Sequence, residues 1–245
     1  ATAVLLLAIV GRAAAQLIPH SPAADATLQV NWNAFSETWA NLKIARTNRT
    51  GFNSILGISW LWFFGSIFLT SFAPFARDVL GGNEAVVTFL LTTFSIGIGI
   101  GALLTDRLSG GKVEIGLVPL GSIGMTVFAV DLYLASRGIV PGNSGTVAEF
   151  LDLPGAWRVI ADLALLSAFS GLYSVPLYAL IQSRAPPTHV ARIVAANNIL
   201  NALFIVVASI AAAALLGSGL TIPEVFLVAA LMNAAVAAYI YFLVP

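Results

Sequence analysis

Asn53-Ser-Ile-Leu-Gly-Ile-Ser-Trp-Leu-Trp-Phe-Phe-Gly-Ser-Ile-Phe-Leu-Thr-Ser-Phe-Ala-Pro-Phe75 contains no Asp, Glu, Lys or Arg. A helix needs about 20 mostly apolar residues to cross the hydrocarbon core of a bilayer, and this stretch supplies them. Its apolar side chains run round the whole helical circumference, so a soluble helix with one buried stripe is a poor alternative. Residues 84–104, 115–136, 158–181, 193–216 and 222–244 follow the same pattern. Residues 1–18 read as a seventh span, cut short at its start. A signal peptide fits them less well, because no basic region precedes the apolar run and no clear cleavage site closes it.

Composition points the same way. Of 245 residues, 59% are hydrophobic and 9% charged, and the mean hydropathy is +0.94. Soluble domains carry about 25% charged residues, so lipid must cover much of this surface. Zero net charge leaves no footprint for nucleic acid. The absence of cysteine excludes disulfides and thiolate metal sites. No phosphate-cradling loop, zinc site or Ser-His-Asp arrangement occurs, so neither a cofactor nor catalysis within this chain is expected.

Polar connections separate the spans. Residues 31–50 differ in kind: Trp32, Phe35, Trp39 and Leu42 recur at helical spacing, and Lys43, Arg46 and Arg49 cluster at the end. Aromatic anchors followed by cations suit a helix lying in the headgroup layer. Alternate connections set the orientation. One set holds Lys43, Arg46, Arg49, Arg107, Lys112, Arg184 and Arg192, and the other Arg77, Arg137 and Arg158. The richer set is expected in the cytoplasm.

Gly101-Ala-Leu-Leu-Thr-Asp106-Arg107-Leu-Ser-Gly110-Gly111-Lys112 joins two spans on that inner face. It resembles the signature loop of the major facilitator superfamily: Gly, a spacer, Asp-Arg, then Gly and basic residues. Ile55-Leu-Gly-Ile-Ser-Trp-Leu-Trp-Phe-Phe-Gly65 and Ser174-Val-Pro-Leu-Tyr-Ala-Leu-Ile-Gln182 resemble the lysophospholipid transporter family, whose relatives in some bacteria are fused to a glycerophospholipid acyltransferase and an acyl-carrier-protein ligase. The resemblance covers nearly the whole chain. It implies an all-α integral membrane protein of about seven transmembrane helices: the end of helix 6 (1–19), a cytoplasmic linker (20–52), and helices 7–12 (53–245) as a C-terminal half. It further implies a partner N-terminal half, an inner bacterial membrane, and a lysophospholipid carried between the halves. Efflux of another amphiphile, or service as a membrane anchor for a fused acyltransferase, are the alternatives.

Polar groups within the spans are the site candidates, since they are costly in lipid and tend to face the bundle interior. Asn197, Asn198 and Asn201 offer amide donors and acceptors to a polar headgroup, or equally to neighbouring helices. Tyr173, Ser174, Tyr178 and Gln182, around Pro176, read as an amphipathic cavity wall or as a packing kink. Asp106, Arg107 and Lys112 are gating candidates. Asp162 is a coupling candidate, weakened because Arg158 one turn earlier suits a local pair. The resemblance implies that the helix of Asp131 is peripheral, so Asp131 is expected to be structural. Arg77-Asp78 reads as a solvated helix end rather than a gate. Gly97, Gly99 and Gly101 form a small-residue face fit for close packing or for a rocking interface.

Two motif matches are set aside. His20-Ser-Pro-Ala-Ala-Asp25 has the His-to-Asp spacing of glycerolipid acyltransferases, but no matching substrate motif follows it. Asn48-Arg49-Thr50 fits a glycosylation acceptor but falls on the cytoplasmic side.

Overall fold

The computed structural model describes residues 2–19, 31–139, 145–186 and 188–243. The His20–Asp25 match therefore lies outside the described residues. The chain divides into two compact units, 1–34 and 35–245. The first carries α1 (Thr2–Gln16), whose 15 residues all lie exposed. At 1.5 Å per residue it is about 22 Å long, short of the hydrocarbon thickness.

The second unit holds α2 (Ala34–Ala45), α3 (Arg49–Pro74), α4 (Glu84–Ser109), α5 (Leu117–Arg137), α6 (Val147–Leu151), α7 (Ala156–Arg184), α8 (Val190–Gly217) and α9 (Ile222–Leu243). A five-residue π turn, Phe75–Val79, prolongs α3 beyond Pro74. Among the described residues, six helices (α3 with its π turn, α4, α5, α7, α8 and α9) are long and apolar enough to cross a membrane. They agree with the six complete spans read from sequence to within a few residues. The protein is an all-α, multi-pass membrane protein.

Local chemistry sets the helix ends. Asn48 Oδ1 accepts from Gly51 N at 2.9 Å and starts α3, so the glycosylation triplet serves as a cap. Asn83 Oδ1 does the same for α4, accepting from Ala85 N and Val86 N. Gly110, with φ of 58°, ends α4 in the left-handed conformation and returns its N–H to the Asp106 carbonyl. Residues 137–157, expected to be a loop, contain α6. Its signal was in the sequence: Thr146-Val-Ala-Glu149 has capping-box spacing, with Thr146 Oγ1 taking Glu149 N, while Glu149 Oε2 takes Gly145 N, one residue before the cap. Phe150 of α6 is fully buried.

The packing centres on α7, which lies against α3, α4 and α5, while α8 packs on α3 and α9 on α5. Glycine brings α4 and α5 onto α7. A Cβ added to Gly101 would sit 1.9 Å from the Ala168 carbonyl oxygen, and one on Gly121 would sit 2.7 Å from Tyr173 N. Without a hydrophobic drive between helices in lipid, such close backbone approach supplies much of the attraction. Gly97 belongs to this packed face, but Gly99 points into open space, so the three glycines do not form one face. Toward the end of the bundle where α3 ends and α9 begins, the core is aromatic. Phe68 stacks on Phe226 at 4.4 Å between ring centroids, and Phe75 meets the same ring edge-on. Leu203, Val206, Val207 and Ile210 of α8 are exposed. Hydrocarbon, not water, suits such a face.

Phe35 and Trp39 of α2 point outward, 90% and 67% exposed. Leu42, expected to share their face, instead turns toward the core. Glu37 faces Arg192 at 3.7 Å and ties α2 to the start of α8.

Candidate functional site

Three spans, α3, α7 and α8, contribute to one polar network. Asn201 is 7% exposed and sits 3.0 Å from the fully buried Ser59 hydroxyl. Its amide orientation follows from its neighbours. With Nδ2 toward Ser59 Oγ and the Asn197 carbonyl, its Oδ1 accepts from Asn197 Nδ2 at 3.0 Å and from Trp62 Nε1 at 3.2 Å. Trp62 Nε1 also lies 3.3 Å from the Tyr178 hydroxyl. A polar thread thus runs from the buried Ser59–Asn201 contact to Trp62, which is 40% exposed, and the half-buried Tyr178. Asn197 Oδ1 is buried and has no partner among the described residues.

The asparagine triplet is therefore divided. Asn197 and Asn201, one turn apart, face inward, and Asn201 clamps α8 to α3. Asn198 faces out. On α7, Tyr173 is fully buried and its hydroxyl donates to the Gly57 carbonyl at 3.0 Å, so it fastens α7 to α3. Ser174 is half-buried, its hydroxyl returned to the Gly171 carbonyl. Gln182 is exposed near the helix end. Pro176 is buried within an unbroken α7.

A second polar node went unread in the sequence. Asn233 of α9 is fully buried. Its Oδ1 accepts from Trp60 Nε1 at 2.8 Å, and its Nδ2 donates to the Ser122 carbonyl at 2.9 Å and to Thr126 Oγ1 at 3.0 Å. One side chain thus joins α3, α5 and α9, with both its oxygen and its nitrogen engaged. A lone Asn midway along an apolar span was the available signal.

The expected local pair between Arg158 and Asp162 does not form. Arg158 reaches across to Asp131 on α5, with Nε at 3.1 Å from Oδ2 and a second contact between Nη2 and Oδ1. A bidentate fork on a neighbouring helix matches guanidinium geometry better than a partner on the same helix. Asp162 lies beside this pair, 3% exposed, with Oδ2 lacking a hydrogen-bond partner among the described residues.

Asp106 and Arg107, expected on the α4–α5 connection, are exposed in the last turn of α4, and of the three gating candidates only Lys112 lies on the connection itself. No ion pair among the described residues involves them, and Asp106 acts through its main-chain carbonyl at the end of α4. At the other end of the bundle, Asp78 lines an open hollow of about 390 Å³ with Tyr133, Arg137 and Glu224, while Arg77 is exposed beside it. No cluster of metal-ligating side chains occurs among the described residues. No family model, curated protein or solved structure matches this chain.

Proposed function

We propose that this chain forms the C-terminal half of a secondary transporter of the major facilitator type, which moves lysophospholipids across a bacterial inner membrane together with an N-terminal half. The observation that carries the proposal is the Ser59–Asn201–Asn197–Trp62–Tyr178 network. It reaches the surface of an otherwise apolar bundle through Trp62 and Tyr178. Hydrogen-bonding groups at membrane depth serve either packing or a polar substrate. Here Ser59 and Asn201 do the packing, and Trp62, Tyr178 and the outward-facing Asn198 remain accessible. A ring–hydroxyl pair beside an amide suits a glycerophosphate headgroup, and the apolar face around it suits a single acyl chain. The resemblance of residues 55–65 and 174–182 to lysophospholipid transporters supports the same reading.

The test is headgroup-dependent flipping of lysophosphatidylethanolamine by the full-length protein in proteoliposomes. Tyr178→Phe, Trp62→Phe and Asn198→Ala should each lower the rate while the protein inserts normally. Wild-type rates in all three would remove the site. Equal transport of unrelated amphiphiles would replace the lipid assignment with efflux. Absence of any transport by the intact protein would leave membrane anchoring as the function.

A further inference from the structure

A cleft of about 470 Å³ opens at the end of the bundle where α3 and α5 begin and α9 ends. Leu56, Val118, Leu177, Leu180 and Ile240 form its walls, with Trp60 and Tyr173 at its inner end and Thr50, Asn53 and Tyr239 at its mouth. Leu56 and Tyr239 are both exposed, so the cleft gives onto the lipid-facing surface beside α3 and α9.

The polar atoms inside it are already engaged. The Tyr173 hydroxyl donates to the Gly57 carbonyl, Trp60 Nε1 donates to Asn233, and Ser54 Oγ donates to the Thr50 carbonyl. The interior is therefore hydrocarbon in character. Water gains little there, since a stable buried water needs two to four polar partners. Apolar cavities of about 150 Å³ already bind small hydrocarbons, and this one is larger.

Its length matches one leaflet. From Thr50 to Trp60 along α3 is about 15 Å, half of the roughly 30 Å hydrocarbon core. Its mouth carries three cations against one carboxylate, the exposed Glu114 beside Ile115. Arg49 adjoins Thr50, Arg46 lies over the Phe52 ring, and Lys112 stands three residues before Ile115 of the lining. All three side chains are exposed.

We propose that this cleft is a binding site for one acyl chain of an anionic phospholipid, drawn from the leaflet that faces Arg46, Arg49 and Lys112. The chain lies between α3 and α9 down to Trp60, and the phosphate stays at the cationic rim. This site is separate from the Trp62–Tyr178 network and stands whether or not the protein transports anything.

Trp60 reports on the cleft directly. The experiment uses the full chain with Trp32, Trp39, Trp62 and Trp157 changed to Phe. The protein is placed in phosphatidylcholine vesicles containing phosphatidylglycerol brominated at mid-chain. Trp60 fluorescence should be quenched in a saturable way at low mole fractions of the brominated lipid. Brominated phosphatidylcholine should need a higher fraction. A matching variant that keeps only Trp157, 65% exposed at the opposite end of the bundle, should show quenching proportional to the bulk lipid fraction. Val236 also lines the cleft; Val236→Phe or, should that variant not fold, Ile240→Phe fills it and should reduce Trp60 quenching to that bulk level. Arg49→Gln and Lys112→Gln should each raise the half-saturating fraction roughly fivefold, the factor expected for one cation near an anionic surface. Quenching of Trp60 that rises in proportion to lipid fraction, ignores the headgroup, or survives both filling variants overturns the proposal.

Discussion

Gly101→Ala adds one methyl group and should destabilise the protein far more than its size suggests. The new Cβ would lie 1.9 Å from the Ala168 carbonyl oxygen, and 2.7 and 2.9 Å from that residue's carbonyl carbon and Cα. Ordinary contact begins near 3.4 Å, so α4 and α7 must part locally by about 1.5 Å. The obstacle is backbone, so no rotamer change relieves it. A gap of about 0.5–1 Å already forfeits a quarter to a half of the dispersion energy at each contact it opens. Overpacking costs about 1–3 kcal/mol. Separation of helices that meet through Gly97, Gly101 and Gly171 puts this change at the upper end, about 3 kcal/mol. That is roughly a 150-fold shift in the folding equilibrium. Equilibrium unfolding in mixed detergent micelles, followed by circular dichroism, measures it. Gly99→Ala is the control: nothing lies within 4 Å of its added methyl, so its effect should stay within about 0.5 kcal/mol. Equal stability of the two variants would refute the close-packing argument.

Asn233→Leu should destabilise by about 1–2 kcal/mol in the same assay, because Trp60 Nε1 loses its acceptor within a membrane interior, while Thr126 Oγ1 keeps its bond to the Ser122 carbonyl; no measurable change would mean the indole finds another partner. Arg158→Gln and Asp131→Asn should each weaken the fold, and the double variant should be no worse than either single one, since both remove one α5–α7 contact; full additivity would show the pair is not coupled. Topology is directly testable because the chain contains no cysteine. Single cysteines at Lys112 and Thr188 should react with an impermeant maleimide only from the cytoplasmic side, and those at Asp78 and Thr221 only from the opposite side; any other pairing refutes the orientation.

Sequence alone determined the solvent of this protein. Long stretches with few charges have no stable place in water, so the six spans, to within a few residues at each end, follow from composition and length. Asn48 and Asn83 also had their roles written locally, because a cap needs only its own next turn. Tertiary structure decided which polar groups work on which neighbours. Asn197, Asn198 and Asn201 are alike in the sequence, yet only the placement of α3 turns Asn201 toward Ser59 and leaves Asn198 outward. Arg158 had Asp162 within reach on its own helix, but α5 brought Asp131 to a better angle. Gly99 and Gly101 differ only in which side of α4 meets α7. Apolar residues surround these helices on every side, so periodicity carries little information about which face is buried. That information resides in the pairing of helices, where a main-chain oxygen or a single amide on a neighbour fixes what each position can hold.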